Sequence, residues 1–243
     1  MKKLFLMVTL LTSQAFGAFT YLTSGRFGAV GSVTLNTTGA NLFVVSITRH
    51  SSQGTDPNDV IGGIVYRGYV LAYSISAGGR INELYYKVNP VTGASDTFWG
   101  CPAVETCSVT VYSGAADTPL DQVIGEAITT SADPTTLQPG SITPNCTKEL
   151  VVIGLATERV NASITGATLR QYQQTTTDYG FTYGNGIADS IQTAKLPINP
   201  TWTVSDTSVG GTGAATVIAS FKAADSVCGA APVRIRHQIT GGE

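Results

Sequence analysis

Aromatic side chains are the residues of this sequence best suited to bind a ligand. Trp99, Tyr179 and Tyr183 lie near turn-forming residues, and Asn and Asp side chains that could hydrogen-bond hydroxyl groups stand close by. An exposed ring of this kind could stack on a sugar, although about half of such aromatics in a β-sandwich point to the core. We therefore expect any carbohydrate platform at Trp99 or in the loop from Tyr179 to Tyr183.

Oxygen-bearing side chains cluster in the segment QGTDPND. Asp56, Asn58 and Asp59 are oxygen ligands of the hard type that calcium takes. The segment does not match an EF-hand loop. Ca²⁺ is thus a minor alternative, and the main expectation is a chain without metal or cofactor.

Catalytic chemistry is not indicated by any group of residues. His50 shares one polar loop with two serines and Asp56, whereas a catalytic triad relies on rigid elements for its geometry. Nothing selects a glycosidase pair from carboxylates such as Glu83, Asp96 and Glu158, which are expected to face solvent and protect strand edges. We predict a protein that is not an enzyme.

The elements that must position these side chains are predicted to be β-strands. The 243 residues are 42% hydrophobic and only 12% charged, against about 25% charged in ordinary domains. Apolar residues alternate with Thr and Ser, and no 12-residue stretch has a capped helical period. We predict an all-β, antiparallel two-sheet β-sandwich, with Leu42–Thr48 and Leu150–Thr157 as central strands.

The segment from Cys107 to Gln122 is predicted to close the first half of the sandwich. Val109 and Val111 alternate with Thr110 and Tyr112, and a Ser-Gly turn follows.

The two halves also share a weak sequence echo. Asn41–Val45 matches Glu149–Ile153, and Cys107–Val111 matches Ala215–Ala219, each at a spacing of 108 residues (149 − 41 and 215 − 107). This pattern favours a jelly-roll-like double Greek key formed by residues 18–225 as one domain. Two tandem immunoglobulin-like domains are the alternative.

Both ends of the chain are predicted to lie outside this domain. Residues 1–17 have the basic start, the apolar run and the small-residue site of a secretory signal peptide, with cleavage after Gly17 or after Ala15. The apolar run is shorter than the roughly 20 residues of a membrane span. We expect export in soluble form, with residues 226–243 as a C-terminal tail.

The four cysteines fit an oxidising compartment, where disulfides persist. Of the three possible pairings we favour Cys101 with Cys107, which closes a short loop, and Cys146 with Cys228, which fastens the second half. A zinc site is disfavoured because paired C-x-x-C spacings are absent.

Net charge makes nucleic acid an improbable partner. The formal charge is −2 and the isoelectric point about 5.7, so no broad positive field is available to hold phosphates.

Several segments together resemble a group of secreted bacterial and phage-associated β-sandwich domains of uncharacterised function. In chain order these segments are NLFVVSI, INELYYKVNPVTG, CSVTVYSGAADTPLDQ, KELVVIGLAT and AATVIASFKA. The resemblance spans about Asn41 to Ala223 and implies a sandwich fold with extracellular or virion display. It implies no catalytic residues. The chain departs from the group in its CPAVETC loop and in the pair Cys146 and Cys228.

The sequence therefore predicts a secreted, non-enzymatic structural or adhesive component of a surface or a virion. Its expected partners are copies of itself or the proteins of such an assembly. A lectin-like, carbohydrate-binding module is the alternative, with glycans as partners.

Overall fold

A computed structural model describes the fold, and every regular element in it is a β-strand. The described residues are 18–28, 31–50, 58–61, 64–66, 68–78, 80–99, 101, 106–133, 135–176, 182–205 and 213–228. The predicted signal peptide and most of the predicted tail lie outside these ranges. No helix in the described part of the chain is long and apolar enough to cross a membrane.

The described residues form seventeen strands, which fall into two halves of the chain. The first half contains β1 (Thr20–Gly28), β2 (Val33–Leu35), β3 (Leu42–His50), β4 (Asn58–Ile61), β5 (Ile64–Tyr66), β6 (Val70–Ala77), β7 (Arg80–Val88), β8 (Asp96–Trp99) and β9 (Thr106–Ser113). The second half contains β10 (Ala115–Thr129), β11 (Thr135–Leu137), β12 (Glu149–Thr157), β13 (Asn161–Thr165), β14 (Thr168–Thr176), β15 (Thr182–Gln192), β16 (Thr201–Ser205) and β17 (Gly213–Ala223).

Each half forms a five-stranded antiparallel sheet with the same strand order. The order is β1-β9-β3-β7-β6 in the first half and β10-β17-β12-β15-β14 in the second. The third strand of each sheet, β3 or β12, comes from the apolar runs at Leu42 and Leu150. Their central placement is confirmed, since apolar residues on both strand faces need cover on both sides.

The sheets stack in four layers with three apolar cores between them. The two five-stranded sheets pack face to face over a core that includes Leu42, Tyr112, Leu150 and Phe221. A small sheet of order β2-β8-β4-β5 covers the outer face of the first large sheet, and one of order β11-β16-β13 covers the second. The all-β sandwich is confirmed, while its jelly-roll connectivity stays a prediction.

An approximate two-fold exchange relates the two halves. Strand β10 takes the place in the second sheet that β1 has in the first, and β14 corresponds in the same way to β6. Strand β1 packs against β14, and β10 packs against β6. Likewise β9 contacts β15 while β17 contacts β7. Such reciprocal contacts are those of a symmetric dimer interface, here within one chain.

The register of the strands corrects the spacing between the halves. Leu42 lies opposite Tyr112, and Leu150 lies opposite Phe221. Strand β12 therefore repeats β3 at a spacing of 108 residues (150 − 42), whereas β17 repeats β9 at a spacing of 109 residues (221 − 112). The expected match of Cys107–Val111 with Ala215–Ala219 is wrong by one residue, and such a shift would exchange the two faces of the strand.

All four edge strands of the large sheets carry a bulge. The register shifts fall between Tyr21 and Thr23 in β1, Leu71 and Tyr73 in β6, Leu120 and Gln122 in β10, and Leu169 and Gln171 in β14. The bulges of β6 and β14 face equivalent partners, Tyr85 and Ala188, which are 103 residues apart (188 − 85). The irregularity is thus repeated along with the strand order.

Several local expectations have clear outcomes. Val109 and Val111 face one core and Tyr112 the other, as predicted, and Gly114 makes the turn with a φ of 95°. Both disulfides, Cys101–Cys107 and Cys146–Cys228, are the predicted ones.

Strand β1 extends through Gly25 to Gly28, because Arg26 and Phe27 pair with β9. Strand β11 forms between β10 and β12, because its three residues pair with β16.

Candidate functional site

Trp99 lies at the surface of the small sheet of the first half. It ends strand β8, and 39% of its surface is exposed. Its neighbour Phe98 is fully buried against Phe43, with ring centroids 5.2 Å apart. The alternation along β8 therefore turns Trp99 outward, where its ring is accessible.

Tyr183 lies in a different sheet from Trp99. Tyr183 belongs to β15 in the large sheet of the second half, where its backbone lies opposite Thr175. Its side chain and the whole of Tyr179 lie outside the described residues. Of the three predicted ligand-binding aromatics, Trp99 and Tyr183 thus lie in different sheets.

The predicted calcium residues come close to Trp99 along the backbone. Asn58 lies opposite Trp99 and Asp59 lies opposite Phe98 in the pairing of β4 with β8. Their side chains are outside the described part of the structure, as is all of Asp56. The small sheet thereby places two oxygen-bearing residue types on the strand beside the exposed ring.

A pocket of about 330 Å³ lies where the first half passes into the second. We call it the junction pocket, and its lining residues are Asn41, Asn89, Ala115, Ala116, Asp117 and Ala224. Pockets that hold small ligands have volumes of roughly 300 to 1,000 Å³. The junction pocket is at the lower end of this range, which suits a ligand of a few polar groups.

The turn after β9 shapes one wall of the junction pocket. Asn41 holds the first residue of β10 like a neighbouring strand: its Nδ2 donates to the Ala115 carbonyl at 2.8 Å, and its Oδ1 accepts from the Ala115 N–H at 3.0 Å. Gly114 accepts a hydrogen bond of 2.8 Å from the Ala224 N–H. The amide of Asn41 is consequently committed to the backbone and positions the pocket.

Asn89 and Asp117 supply the polar wall. Asn89 has a left-handed φ of 47°, which Asn tolerates better than most residues. Its N–H donates to the Asn41 carbonyl at 2.9 Å, and its Nδ2 donates to Oδ1 of Asp117 at 3.1 Å. Oδ2 of Asp117 has no partner among the described residues, so it can accept a hydrogen bond from a ligand hydroxyl.

Three carboxylates that were expected to face solvent are buried instead, two of them in ion pairs. Glu83 pairs with Arg49 and accepts a bond of 3.1 Å from the Tyr85 hydroxyl. Glu158 pairs with Arg80 across the two halves, and Asp96 is fully buried beside Thr37. Burying a carboxylate requires such partners. These carboxylates therefore have structural roles.

A polar seam, formed by Ser46, Thr48, Asn82 and Asn185, crosses the layer between the large sheets. Asn185 donates through Nδ2 to Thr48 Oγ1 at 3.0 Å, and Asn82 donates to Ser46 Oγ at 3.1 Å. The two asparagines occupy equivalent positions, 103 residues apart (185 − 82). All four residues are fully buried, so the polar seam orients the two halves and is closed to ligands.

The junction pocket was not anticipated from the sequence. Its polar residues, Asn41, Asn89 and Asp117, come from three separate segments of the sequence. The asparagines at strand ends and the YSG turn are the sequence features that could have indicated this pocket. Asn hydrogen-bonds nearby backbone groups and tolerates a left-handed φ.

In comparisons with known proteins, no protein-family model, no curated protein and no solved structure matches the chain.

Proposed function

We propose that the chain is a secreted, non-enzymatic structural or adhesive component of an extracellular surface or a virion. The observation that carries this proposal is the four-layer stack, in which two equivalent halves bury a common core within one chain. A rigid, duplicated scaffold of this kind suits a protein that must present surfaces durably.

Two further features support the proposal. The two disulfides fit an oxidising compartment. Bulged edge strands resist indiscriminate pairing with other sheets, so specific association would use sheet faces and loops. The resemblance to displayed β-sandwich domains points in the same direction.

The proposal is tested on the mature chain, purified without residues 1–17. Light scattering coupled to gel filtration and electron microscopy should show defined oligomers or filaments, or binding to the producing cell or particle. A chain that remains monomeric at millimolar concentration and associates with neither would contradict it, as would hydrolase activity on a polysaccharide panel.

Carbohydrate binding is the second candidate function, favoured by exposed Trp99 and by the polar wall of the junction pocket. Binding to a glycan array should reveal it in the wild-type chain. Loss of binding in Trp99→Ala, with retention in Trp99→Phe, would indicate ring stacking at β8. Loss in Asp117→Ala alone would place the sugar in the junction pocket. A wild-type chain that binds no glycan would eliminate this candidate.

A further inference from the structure

Two carboxylates and a hydroxyl meet beneath the Cys146–Cys228 disulfide. Asp121 is the bulge residue of β10, Glu149 begins β12, and Ser220 lies on β17 between these two strands. Ligand-type oxygens of Asp121 and Glu149 lie within 4.8 Å of each other and of Cys146 Sγ. We call Asp121, Glu149 and Ser220 the oxygen cluster.

Two buried oxygens of the oxygen cluster lack hydrogen-bond partners. Glu149 is fully buried; its Oε1 accepts a bond of 2.7 Å from the Cys146 N–H, whereas Oε2 has none. The Ser220 hydroxyl is directed at the Glu149 carboxyl, but it too is buried without a partner of normal geometry. Native structures rarely leave such groups unsatisfied, so each needs an explanation.

Nearby cations do not neutralise the two carboxylates. Lys148 pairs with Asp225 at 2.5 Å. Lys222 lies opposite Glu149 in the sheet, yet no ion pair joins them in the described part of the chain. Among the described residues, the two acidic groups therefore stand close together without a neutralising positive charge.

The fold itself does not require acidic residues at these positions. The equivalent residues of the first half are Leu22 at the bulge of β1, Asn41 before β3, and Val111 on β9. The same architecture thus forms with no carboxylate at the corresponding place. The oxygen cluster is a particular feature of the second half.

We propose that the oxygen cluster binds a hard divalent cation, with Ca²⁺ as the leading candidate. Asp121, Glu149 Oε2 and Ser220 Oγ would supply protein oxygens, which are the ligands such cations take. Cys146 Sγ is bonded to Cys228 and is no ligand. Both Asp121 oxygens accept a hydrogen bond from Asn145, Oδ2 at 3.0 Å and Oδ1 at 3.1 Å, and each has a second lone pair for a cation. Asp121 is only half-buried, so waters would complete the coordination. A bound cation would join β10, β12 and β17.

The test is calcium-dependent stability of the EDTA-treated mature chain. Addition of 10 mM CaCl₂ should raise the thermal midpoint by about 3 to 5 °C if the dissociation constant is about 1 mM, as in extracellular sites. Glu149→Gln and Asp121→Asn should each abolish this rise. Glu126→Gln is the control, because it changes an exposed carboxylate on β10, the strand of Asp121, and it should leave the calcium-dependent rise unchanged. Calorimetric titration with CaCl₂ and MgCl₂ gives the stoichiometry directly.

The variants also separate cation binding from a purely structural role. In EDTA, Glu149→Gln should unfold at the wild-type midpoint or above, because it removes a buried acidic group without deleting atoms that fill space. A midpoint that responds to neither cation, or a response that survives in both Glu149→Gln and Asp121→Asn, would overturn the proposal.

Discussion

The hydroxyl of Tyr112 illustrates how single polar groups are used inside this protein. It donates a bond of 2.7 Å to Asp189 Oδ2 in the layer between the large sheets, and Arg170 donates to both Asp189 oxygens at 2.9 Å. Burial, and then the charge of Asp189, raise the pKa of Tyr112 well above its ordinary value of 10.0. The Tyr112 hydroxyl therefore ionises at a higher pH in the folded chain than in the unfolded chain.

Alkaline pH should therefore destabilise the protein through Tyr112. Because its folded pKa is raised, this contribution to the free energy of unfolding is complete below pH 10 and is lost as the pH rises beyond it. Tyr112→Phe should cost about 1.5 to 3 kcal/mol at pH 7, since it removes a hydrogen bond to a charged group. Tyr112→Phe should also make the free energy of unfolding fall less steeply above pH 10. Part of the fall should remain, because burial raises the pKa of Tyr172 as well.

Urea unfolding of both proteins at pH 7, 9 and 10.5 measures these quantities. Tyr21→Phe is the control, because Tyr21 belongs to the same aromatic group and its hydroxyl bonds only Ser24. An alkaline decline in Tyr112→Phe as steep as in wild type would refute the assignment.

At the scale of elements, the sequence was informative where its pattern was local. The central strands at Leu42 and Leu150, the turn at Gly114 and both disulfides could be predicted from apolar runs, turn residues and spacing. The register of β17 could not, because this strand is buried on both faces and small or apolar residues occur on each of them. The junction pocket joins segments far apart in the sequence, so no local pattern describes it.

Close approach of backbones fixes the contact between the halves at Gly213. A Cβ at this position would lie 2.6 Å from the Ala77 carbonyl oxygen at the end of β6, closer than any real Cβ contact. Gly213→Ala should therefore push β17 and β6 apart and cost about 1 to 3 kcal/mol of the free energy of unfolding.

Chemical denaturation of matched glycine variants measures this cost. Gly31→Ala is the control, because a Cβ there would meet its nearest atom at an ordinary 3.6 Å. Equal stability of the two variants would show that the approach of Gly213 to Ala77 is not tight.

At the scale of the molecule, two disulfides of very different span fasten the fold. Cys146 and Cys228 are 82 residues apart, whereas Cys101 and Cys107 are 6 apart. A longer closed loop restricts the unfolded chain more. The long bridge also ties the end of β17 to the segment before β12, beside the oxygen cluster.

Removing each bridge separately should reveal this difference. The double variant Cys146→Ser with Cys228→Ser should lose about 4 kcal/mol, and Cys101→Ser with Cys107→Ser about 2 kcal/mol, by loop-closure entropy. Guanidinium unfolding in EDTA measures both without a contribution from cations. A larger loss from the short bridge would contradict the entropic argument.

The two-fold exchange between halves has a genetic consequence. In a symmetric dimer of identical subunits, one codon change alters two places at once, so a residue useful in one copy is imposed on the other. Here Glu149 and Asn41 occupy equivalent positions with different side chains, as do Asp121 and Leu22. A mutation can therefore add a ligand residue to one half of the chain without changing the equivalent residue of the other half.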